Sequence, residues 1–297
     1  MSAIRASRAT RALLLVTALI LLWPAAVGAA RPLPSSMAVA GDSIARAFNT
    51  CWFPYVDCVA NSWATGTSTT VNSHYRRILA ANKAINGRNY NDAKSGAKMG
   101  DLPGQMATIS ARNVQYVAVD MGGNDICTSS TTSMTDVGSF ETNLRLALDT
   151  ITKNANVQTV YLTSIPDAHH LWQIFHQNSS ARSTWARFSV CQSLLANPTS
   201  TDPVDVARRQ QVRGHNIALN RIIESVCADP LYAARCVFDG WAIFCTQFAT
   251  SDITTRDYFH PSTSGQKKFA QVSWDAGPFV AAPTARLGPD CNALTDD

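Results

Sequence analysis

After residue 30, the sequence has no apolar run near the roughly 20 residues needed to cross a bilayer. It also has no internal repeat, no low-complexity tract and no linker rich in proline, glycine or serine. These absences exclude membrane-spanning helices after residue 30, a repeat architecture and several domains joined by flexible linkers. Hydrophobic residues make up 46% of the chain, enough to bury one sizeable core, so we predict a single domain over residues 31–297.

Charge of either sign is scarce. Charged residues are 15% of the chain, with 25 Lys and Arg against 21 Asp and Glu. Three of the arginines precede residue 12, inside a segment that we expect to be removed, and the rest of the chain is nearly neutral. This balance gives no reason to expect nucleic acid or an anionic membrane as the main partner.

The first thirty residues have the layout of an export signal. Three arginines precede an apolar run over residues 12–23, Pro24 ends the run, and small residues fill 25–30. Basic, apolar and small-residue regions in this order are typical of a cleavable secretory leader. We therefore predict a signal peptide over residues 1–30 and a secreted, extracellular protein. An uncleaved membrane anchor is the alternative, but the apolar run is short for a span.

No two cysteines are spaced as Cys-x-x-Cys, which disfavours a zinc site and a thioredoxin-type redox site. All eight cysteines follow the leader, and an even number in an exported chain indicates disulfide bonds. We predict that they pair in the order of the sequence, as Cys51–Cys58, Cys127–Cys191, Cys227–Cys236 and Cys245–Cys291.

Apolar periodicity predicts strands that alternate with helices. Strands are expected at 37–40, 90–93, 114–119, 157–165 and 236–238, and helices at 71–86, 101–109, 136–153, 180–195, 206–227 and from 262 onward. Such alternation indicates a parallel sheet covered on both faces. The segment 166–206 is expected to be irregular and to form a lid or side wall.

The serine after the first predicted strand is the first candidate for chemistry. Gly41 ends the apolar run, and Ser43 stands two residues later, where a helix can begin. A serine at a helix N-terminus offers a nucleophilic hydroxyl together with a backbone N–H that favours negative charge. Gly-Asp-Ser is also an ordinary turn or N-cap, and these residues alone do not decide between the two interpretations.

Two other positions can supply donors to the same place, because ligands of such sheets bind outside the carboxyl ends of the strands. Asn124 follows the strand predicted at 114–119, and its side-chain amide can stabilise an oxyanion. Gly96 follows the strand predicted at 90–93, and its bare backbone N–H can approach a bound ester. A tight turn and an ordinary loop glycine are the alternatives for these positions.

His260 is the candidate general base that we select. His260 has a carboxylate three residues earlier, at Asp257, where a single turn can bring the side chains together. The aspartate would fix the tautomer and stabilise the imidazolium. The three histidines within 169–176 lack a carboxylate at a familiar ligand spacing, so no metal site is predicted. The other histidines are interpreted as structural, namely His74 and His215.

Taken in order, these residues resemble the SGNH, or GDSL-type, hydrolase superfamily. Its four blocks are matched by Gly41-Asp42-Ser43, Gly96, Gly122-x-Asn124-Asp125 and Asp257-x-x-His260. The likeness spans about residues 36–275. Details such as Phe259-His260-Pro261-Ser262 are similar to the phospholipase B-like branch. Ile44 and Gly123 depart from the usual leucine and alanine, without touching a reacting group.

The resemblance implies roles for five residues. Ser43 would be the nucleophile, His260 the base and Asp257 its orienting acid. The oxyanion hole would consist of the Ser43 and Gly96 amides and the Asn124 side chain. The implied fold is a doubly wound, flavodoxin-like α/β three-layer sandwich with a five-stranded parallel sheet, and neither a metal nor an organic cofactor is needed.

The expected activity is carboxylic ester hydrolysis through an acyl-enzyme, on small-molecule or lipid esters. We expect a monomer that makes transient contact with lipid surfaces. A polysaccharide O-acetyl esterase would carry the same four blocks, and a non-catalytic lipid or glycan binder is the alternative of another class. A nucleophile elbow is disfavoured because no serine lies in Gly-x-Ser-x-Gly. A glycosidase pair made from Asp42 and Asp125 would leave Ser43 and His260 without roles.

Overall fold

The computed structural model of the chain describes residues 30–281, 283 and 287–292. Residues 1–29 of the predicted export signal lie outside the described residues. Within the described ranges, no helix is both long enough and apolar enough to cross a membrane.

A five-stranded parallel sheet forms the centre of the molecule, with the spatial order β2-β1-β3-β4-β5. The strands are β1 Met37–Gly41, β2 Asn89–Asn91, β3 Tyr116–Asp120, β4 Thr159–Leu162 and β5 Cys236–Phe238. All five predicted strands are present, with ends that differ by a few residues at most. β1, β3 and β4 are buried along their whole length, as expected for strands covered on both faces. The strand order reverses between β1 and β3, which creates a crevice at their carboxyl ends.

Helices lie on both sides of this sheet. They are α1 His74–Ala81, α2 Leu102–Ala111, α3 Gly123–Ile126, α4 Val137–Thr152, α5 Ala168–Phe175, α6 Ser179–Arg187, α7 Gln192–Leu195, α8 Pro203–Cys227 and α9 Thr263–Asp275. The Tyr161 hydroxyl donates to the Ser273 carbonyl of α9, while Leu162 meets residues of α4 and α8. Adjacent residues of a strand point to opposite faces, so α9 and the α4–α8 pair lie on opposite sides. The predicted doubly wound α/β fold is confirmed.

The segment after β1 differs from the prediction, because no helix begins at Ser43. Residues 43–49 form a series of turns, in which the Phe48 N–H donates to the Ser43 carbonyl at 3.0 Å. Ala47 and Asn49 have φ angles of 50° and 66°, in the left-handed region that an α-helix does not use. The turns therefore cannot propagate into a helix, and the predicted helix N-terminus was wrong.

The segment 166–206 is helical rather than irregular, so that prediction was also wrong. It contains α5, α6, α7 and the start of α8, and polar caps begin three of these helices: Asp167, Asn178 and Asp202. The helix predicted over 180–195 is interrupted between α6 and α7, where Ser189 and Cys191 have φ angles of 50° and 44°. Short capped helices lack the long apolar period by which helices are predicted from sequence.

The four predicted disulfide bonds are confirmed, and no free cysteine is found in the described part of the chain. Cys51–Cys58 closes a small loop next to the segment that carries Ser43, and Cys127–Cys191 ties the residue after α3 to the residue before α7. Both crosslinks hold segments at the carboxyl edge of the sheet.

Candidate active site

Three side chains of the predicted set form a hydrogen-bonded chain at the carboxyl edge of the sheet. Nε2 of His260 lies 2.8 Å from Oγ of Ser43, and Nδ1 of His260 lies 2.8 Å from Oδ2 of Asp257. Ser43 follows β1, whereas Asp257 and His260 lie in the loop between β5 and α9. The fold thus joins residues 217 positions apart in the sequence.

The loop that carries the histidine is built around its aspartate. Oδ1 of Asp257 accepts the backbone N–H groups of Phe259 and His260, at 2.9 and 3.0 Å. Tyr258 takes a left-handed φ of 53°, which makes the turn tight enough for Oδ2 to reach the imidazole. Oδ1 therefore fixes the backbone, and Oδ2 orients the ring.

The electrostatics of Asp257 favour its charged form. Burial alone raises the pKa of this carboxyl, but the hydrogen bond and charge of His260 and the two backbone N–H groups outweigh burial, and the net pKa lies below its usual value. A carboxylate held ionised beside an imidazole can stabilise the imidazolium that forms when the ring accepts a proton.

The predicted oxyanion donors lie beside the serine. Ser43, Gly96, Asn124 and His260 line one cavity of about 280 Å³. Neither the Ser43 N–H nor the Gly96 N–H meets a protein acceptor within the described residues. Gly96 has a φ of 82°, in the left-handed region that favours glycine. A Cβ at this position would meet nothing within 4 Å, so the backbone conformation, and not a lack of space, favours glycine here.

Asn124 is held by one good hydrogen bond. Its Nδ2 donates to the Ala97 carbonyl at 3.0 Å, and a second contact, to Oδ2 of Asp42, is long at 3.5 Å. A donor with one firm partner and one weak partner is oriented and still has a hydrogen that a ligand can attract.

Two neighbouring aspartates, Asp42 and Asp125, accept hydrogen bonds from backbone N–H groups. Asp42 accepts the Ile44 N–H at 2.9 Å, and Asp125 accepts the Met99 N–H at 2.9 Å. Burial is the main reason that the pKa of Asp42 rises to about 6, against the opposing effects of the Ile44 N–H and the His260 charge. Burial likewise raises the pKa of Asp125.

Two side chains that the sequence did not single out contact Asp257 and the end of β1. Asn49 is buried, and its amide donates through Nδ2 to Oδ2 of Asp257 while its Oδ1 accepts the Tyr55 N–H. Gln105 of α2 donates to the Gly41 carbonyl at 2.9 Å and accepts the Gly41 N–H at 2.7 Å, which clamps the end of β1. Asparagine tolerates the left-handed φ of Asn49, but no motif around either residue signals its contact.

Gly41 itself is required by close packing. A Cβ there would lie 2.3 Å from the Asp120 carbonyl oxygen, and the φ angle is 149°. Only glycine lets β1 end this close to β3, and this approach sets the position of the residues that follow, Ser43 included.

The remaining histidines make contacts elsewhere. His74, His170, His176 and His215 each lie within hydrogen-bonding distance of a hydroxyl or a backbone carbonyl, and His169 packs against Trp172. No group of three or more His, Cys, Asp or Glu side chains in the described ranges is arranged to hold a metal ion.

Two further cavities adjoin His260. One, of about 90 Å³, has an almost wholly apolar lining that includes Ile44, Ile126, Leu171, Ile174 and Phe259. The other, of about 240 Å³, is lined by Phe48, Tyr55, Phe188, Val190, Phe259, Asp257 and His260. We call these the apolar cavity and the aromatic cavity. The imidazole therefore lies where the cavity that holds Ser43, Gly96 and Asn124 adjoins two hydrophobic cavities.

Comparison with known proteins gives one family match. The family model described as GDSL-like Lipase/Acylhydrolase matches residues 37–272. A sequence comparison with curated proteins finds no match.

Solved structures provide distant neighbours. An extracellular lipase from Streptomyces rimosus is 15% identical, with 82% of this chain and 99% of that chain covered and a TM-score of 0.48. A GDSL-like lipase candidate from Parabacteroides merdae is 14% identical, with 84% and 98% covered and a TM-score of 0.49. At these distances the neighbours carry no argument about the chemistry of the site.

Proposed function

Because this chain belongs to the GDSL-like lipase/acylhydrolase family and is a carboxylic ester hydrolase, we propose that it cleaves acyl-lipid esters through an acyl-enzyme on Ser43. The observation that carries the proposal is the hydrogen-bonded chain Ser43–His260–Asp257. A non-catalytic binder would not need a serine hydroxyl 2.8 Å from an imidazole that is itself oriented by a carboxylate.

Each group has a defined part in the proposed reaction. Oγ of Ser43 attacks the ester carbonyl while Nε2 of His260 takes the hydroxyl proton. The imidazolium, stabilised by Asp257, gives that proton to the leaving alcohol, and the acyl group stays on Ser43. His260 then takes a proton from water, the hydroxide attacks the acyl carbon, and the acid leaves as Ser43 regains its proton. Atoms and charges balance without any other reactant.

Three donors are proposed for the oxyanion. They are the Ser43 N–H, the Gly96 N–H and Nδ2 of Asn124, which line the same cavity. Each would strengthen its hydrogen bond as the carbonyl oxygen gains charge, and the loss of one such donor costs about 2.7–4 kcal/mol in related sites. The weak contact between Asn124 and Asp42 is the one that the oxyanion would replace.

The apolar cavity favours ester substrates whose acyl chain is longer than acetyl. It shares Cys127, Phe259 and His260 with the cavity that holds Ser43, so an acyl group on Ser43 can extend into it. An acetyl group would leave this space unfilled. The observation favours lipid esters over the polysaccharide O-acetyl esters that the four sequence blocks also allow.

The proposal is tested with p-nitrophenyl esters from acetate to palmitate, phospholipid micelles and acetylated xylan. We expect kcat/KM to rise from acetate to octanoate, because each methylene buried in the apolar cavity is worth about 0.8 kcal/mol. Ile174→Phe, which fills that cavity, should lower the octanoate rate and spare the acetate rate. Rapid acetate release without turnover of longer chains would contradict the lipid assignment.

We also propose that the protein is exported as a monomeric single domain over residues 31–297. The four disulfide bonds support an oxidising destination. N-terminal sequencing of the protein from culture medium should begin at residue 30 or 31, and light scattering should give the monomer mass.

A further inference from the structure

The loop closed by Cys51–Cys58 carries an unusual amount of exposed hydrophobic surface. Trp52 is 89% exposed and Phe53 is 69% exposed, and Tyr55 and Val56 beside them are also exposed. Scattered single hydrophobic residues are ordinary on protein surfaces, but a contiguous group marks an interaction site. We call Trp52, Phe53, Tyr55 and Phe188 the aromatic rim.

The rim is held firmly at its base. The guanidinium of Arg256 donates to the carbonyls of Trp52, Phe53 and Asn49, at 2.9 to 3.0 Å. The disulfide closes the loop. The Asn49 side chain links the loop to the active-site loop, because its Oδ1 accepts the Tyr55 N–H and its Nδ2 donates to Asp257. The backbone is therefore fixed against the active-site loop while the two side chains at the tip stay in solvent.

The rim is continuous with the active site. The rings of Tyr55 and Phe188 lie 5.9 Å apart, and both residues line the aromatic cavity together with Asp257 and His260. A hydrophobic surface thus runs from Tyr55 and Phe188 to the imidazole, and Trp52 and Phe53 belong to the same disulfide-closed loop as Tyr55.

Charge around the rim does not oppose an apolar partner. Asp57 is the only acidic residue in 48–59, and it is paired with Arg46 at 2.8 Å and with the Ser95 hydroxyl. Arg187 lies over the Phe188 ring at 5.6 Å. A cation beside exposed aromatic side chains is the arrangement that suits a lipid-water interface.

We propose that the aromatic rim docks this enzyme on the surface of aggregated lipid, with the mouth of the active site facing that surface. This proposal rests on the proposed function, because it names the physical form of the ester substrate. Trp52 and Phe53 would enter the boundary between headgroups and acyl chains, and the ester would reach Ser43 along the aromatic cavity. A glycan platform fits less well, since Val56 and Val59 are also exposed and the Tyr55 hydroxyl contacts the Arg256 carbonyl.

The test uses vesicles of a diether phosphatidylcholine, which binds like a phospholipid but has no ester to cleave. Wild type, the double variant Trp52→Ser with Phe53→Ser, and the control Leu231→Ser are compared by co-sedimentation. Leu231 is 77% exposed and lies before β5, at the opposite edge of the sheet. We expect the double variant to bind about 10-fold more weakly or worse, and the control to bind like wild type.

Hydrolysis of dissolved p-nitrophenyl butyrate separates the two proposals. All three proteins should cleave it at similar rates, whereas the double variant should lose about 10-fold on micellar ester. Equal vesicle binding by wild type and the double variant would overturn the docking proposal, as would wild type that binds acetylated xylan and not vesicles. Absence of butyrate hydrolysis in wild type would instead overturn the proposed function.

Discussion

His74 and His260 both have partners at both ring nitrogens, yet they occupy opposite kinds of environment. His74, at the start of α1, is fully buried, with Nδ1 2.8 Å from the Tyr116 hydroxyl and Nε2 2.9 Å from the Ser273 hydroxyl. Burial is the main reason that its pKa falls to about 3. His260 lies beside solvent-accessible cavities, between a carboxylate and a serine hydroxyl.

The difference lies in the charge of the partners and in access to solvent. Two neutral hydroxyls do not offset the cost of burying a positively charged ring, so His74 stays neutral and acts as a structural hydrogen-bonding group. A carboxylate at one nitrogen and an open cavity at the other allow His260 to take a proton and release it. The same side chain therefore packs the core in one region and can transfer protons in the other.

The largest effect is expected from exchanging these histidines for groups that cannot transfer protons. His260→Ala should lower kcat on a soluble aryl ester by a factor on the order of 10⁶, because His260 is proposed as the base for the Ser43 hydroxyl. His74→Gln should change kcat only a few-fold. Steady-state kinetics on purified variants measure both, and similar losses in the two variants would contradict the assignment of His260.

The next effect concerns the donor that faces the same cavity as His260. Asn124→Ala should lower kcat by about 10²–10³-fold with little change in KM, because the amide is proposed to act mainly on the developing oxyanion. Kinetics with aryl butyrate test this. A rise in KM at unchanged kcat would show that Asn124 binds the ground state instead.

A smaller effect is expected from Asn49, which orients the aspartate behind His260. Asn49→Gly keeps the left-handed backbone and removes the bond to Asp257. We expect kcat to fall about tenfold, by analogy with the loss of supporting hydrogen bonds behind metal-ligating side chains. Thermal melting separates this positioning role from loss of folded protein, because partial unfolding would also lower the apparent kcat at unchanged KM. An unaltered kcat would show that Asn49 does not position Asp257 for the reaction.

The last effect is on stability rather than on activity, and it belongs to His74. The unfolded chain takes a proton at this residue below about pH 6.5, whereas the folded chain does so only near pH 3, because the folded pKa is depressed. Protonation therefore favours the unfolded state as the pH falls from about 6.5, by up to about 1.4 kcal/mol per pH unit. Urea unfolding measures the free energy of unfolding of wild type and His74→Gln at each pH. The difference between the two proteins should show this slope, because the contributions of the buried aspartates are the same in both and cancel. A difference independent of pH would contradict the burial argument.

Much of the fold and site could be predicted because parallel strands end at one edge of a sheet. The strands around Val117 and Ala38 are apolar and short, and the residues that follow them, Asn124 and Ser43, necessarily come close once the strands pair. Short local loops favoured the pairs Cys51–Cys58 and Cys227–Cys236, whereas Cys127–Cys191 and Cys245–Cys291 close loops of 64 and 46 residues and depend on the fold.

The supporting contacts could not be predicted, because they depend on the path of irregular backbone. Asn49 reaches Asp257 only because the turns over 43–49 do not become a helix, and the left-handed φ of Ala47 has no signal in its sequence. Gln105 resembles any polar residue on a helix until its two bonds to Gly41 are known. Side-chain contacts to the backbone of a distant loop leave no periodic pattern.

The most direct test of the central claim is a crystal structure of the enzyme after reaction with an alkyl phosphonate that mimics the tetrahedral intermediate. We expect a covalent bond from phosphorus to Oγ of Ser43, with a phosphonyl oxygen within hydrogen-bonding distance of the Ser43 N–H, the Gly96 N–H and Nδ2 of Asn124. We also expect the alkyl chain to lie in the apolar cavity. A phosphonate attached to any other side chain, or an oxygen directed away from all three donors, would contradict it.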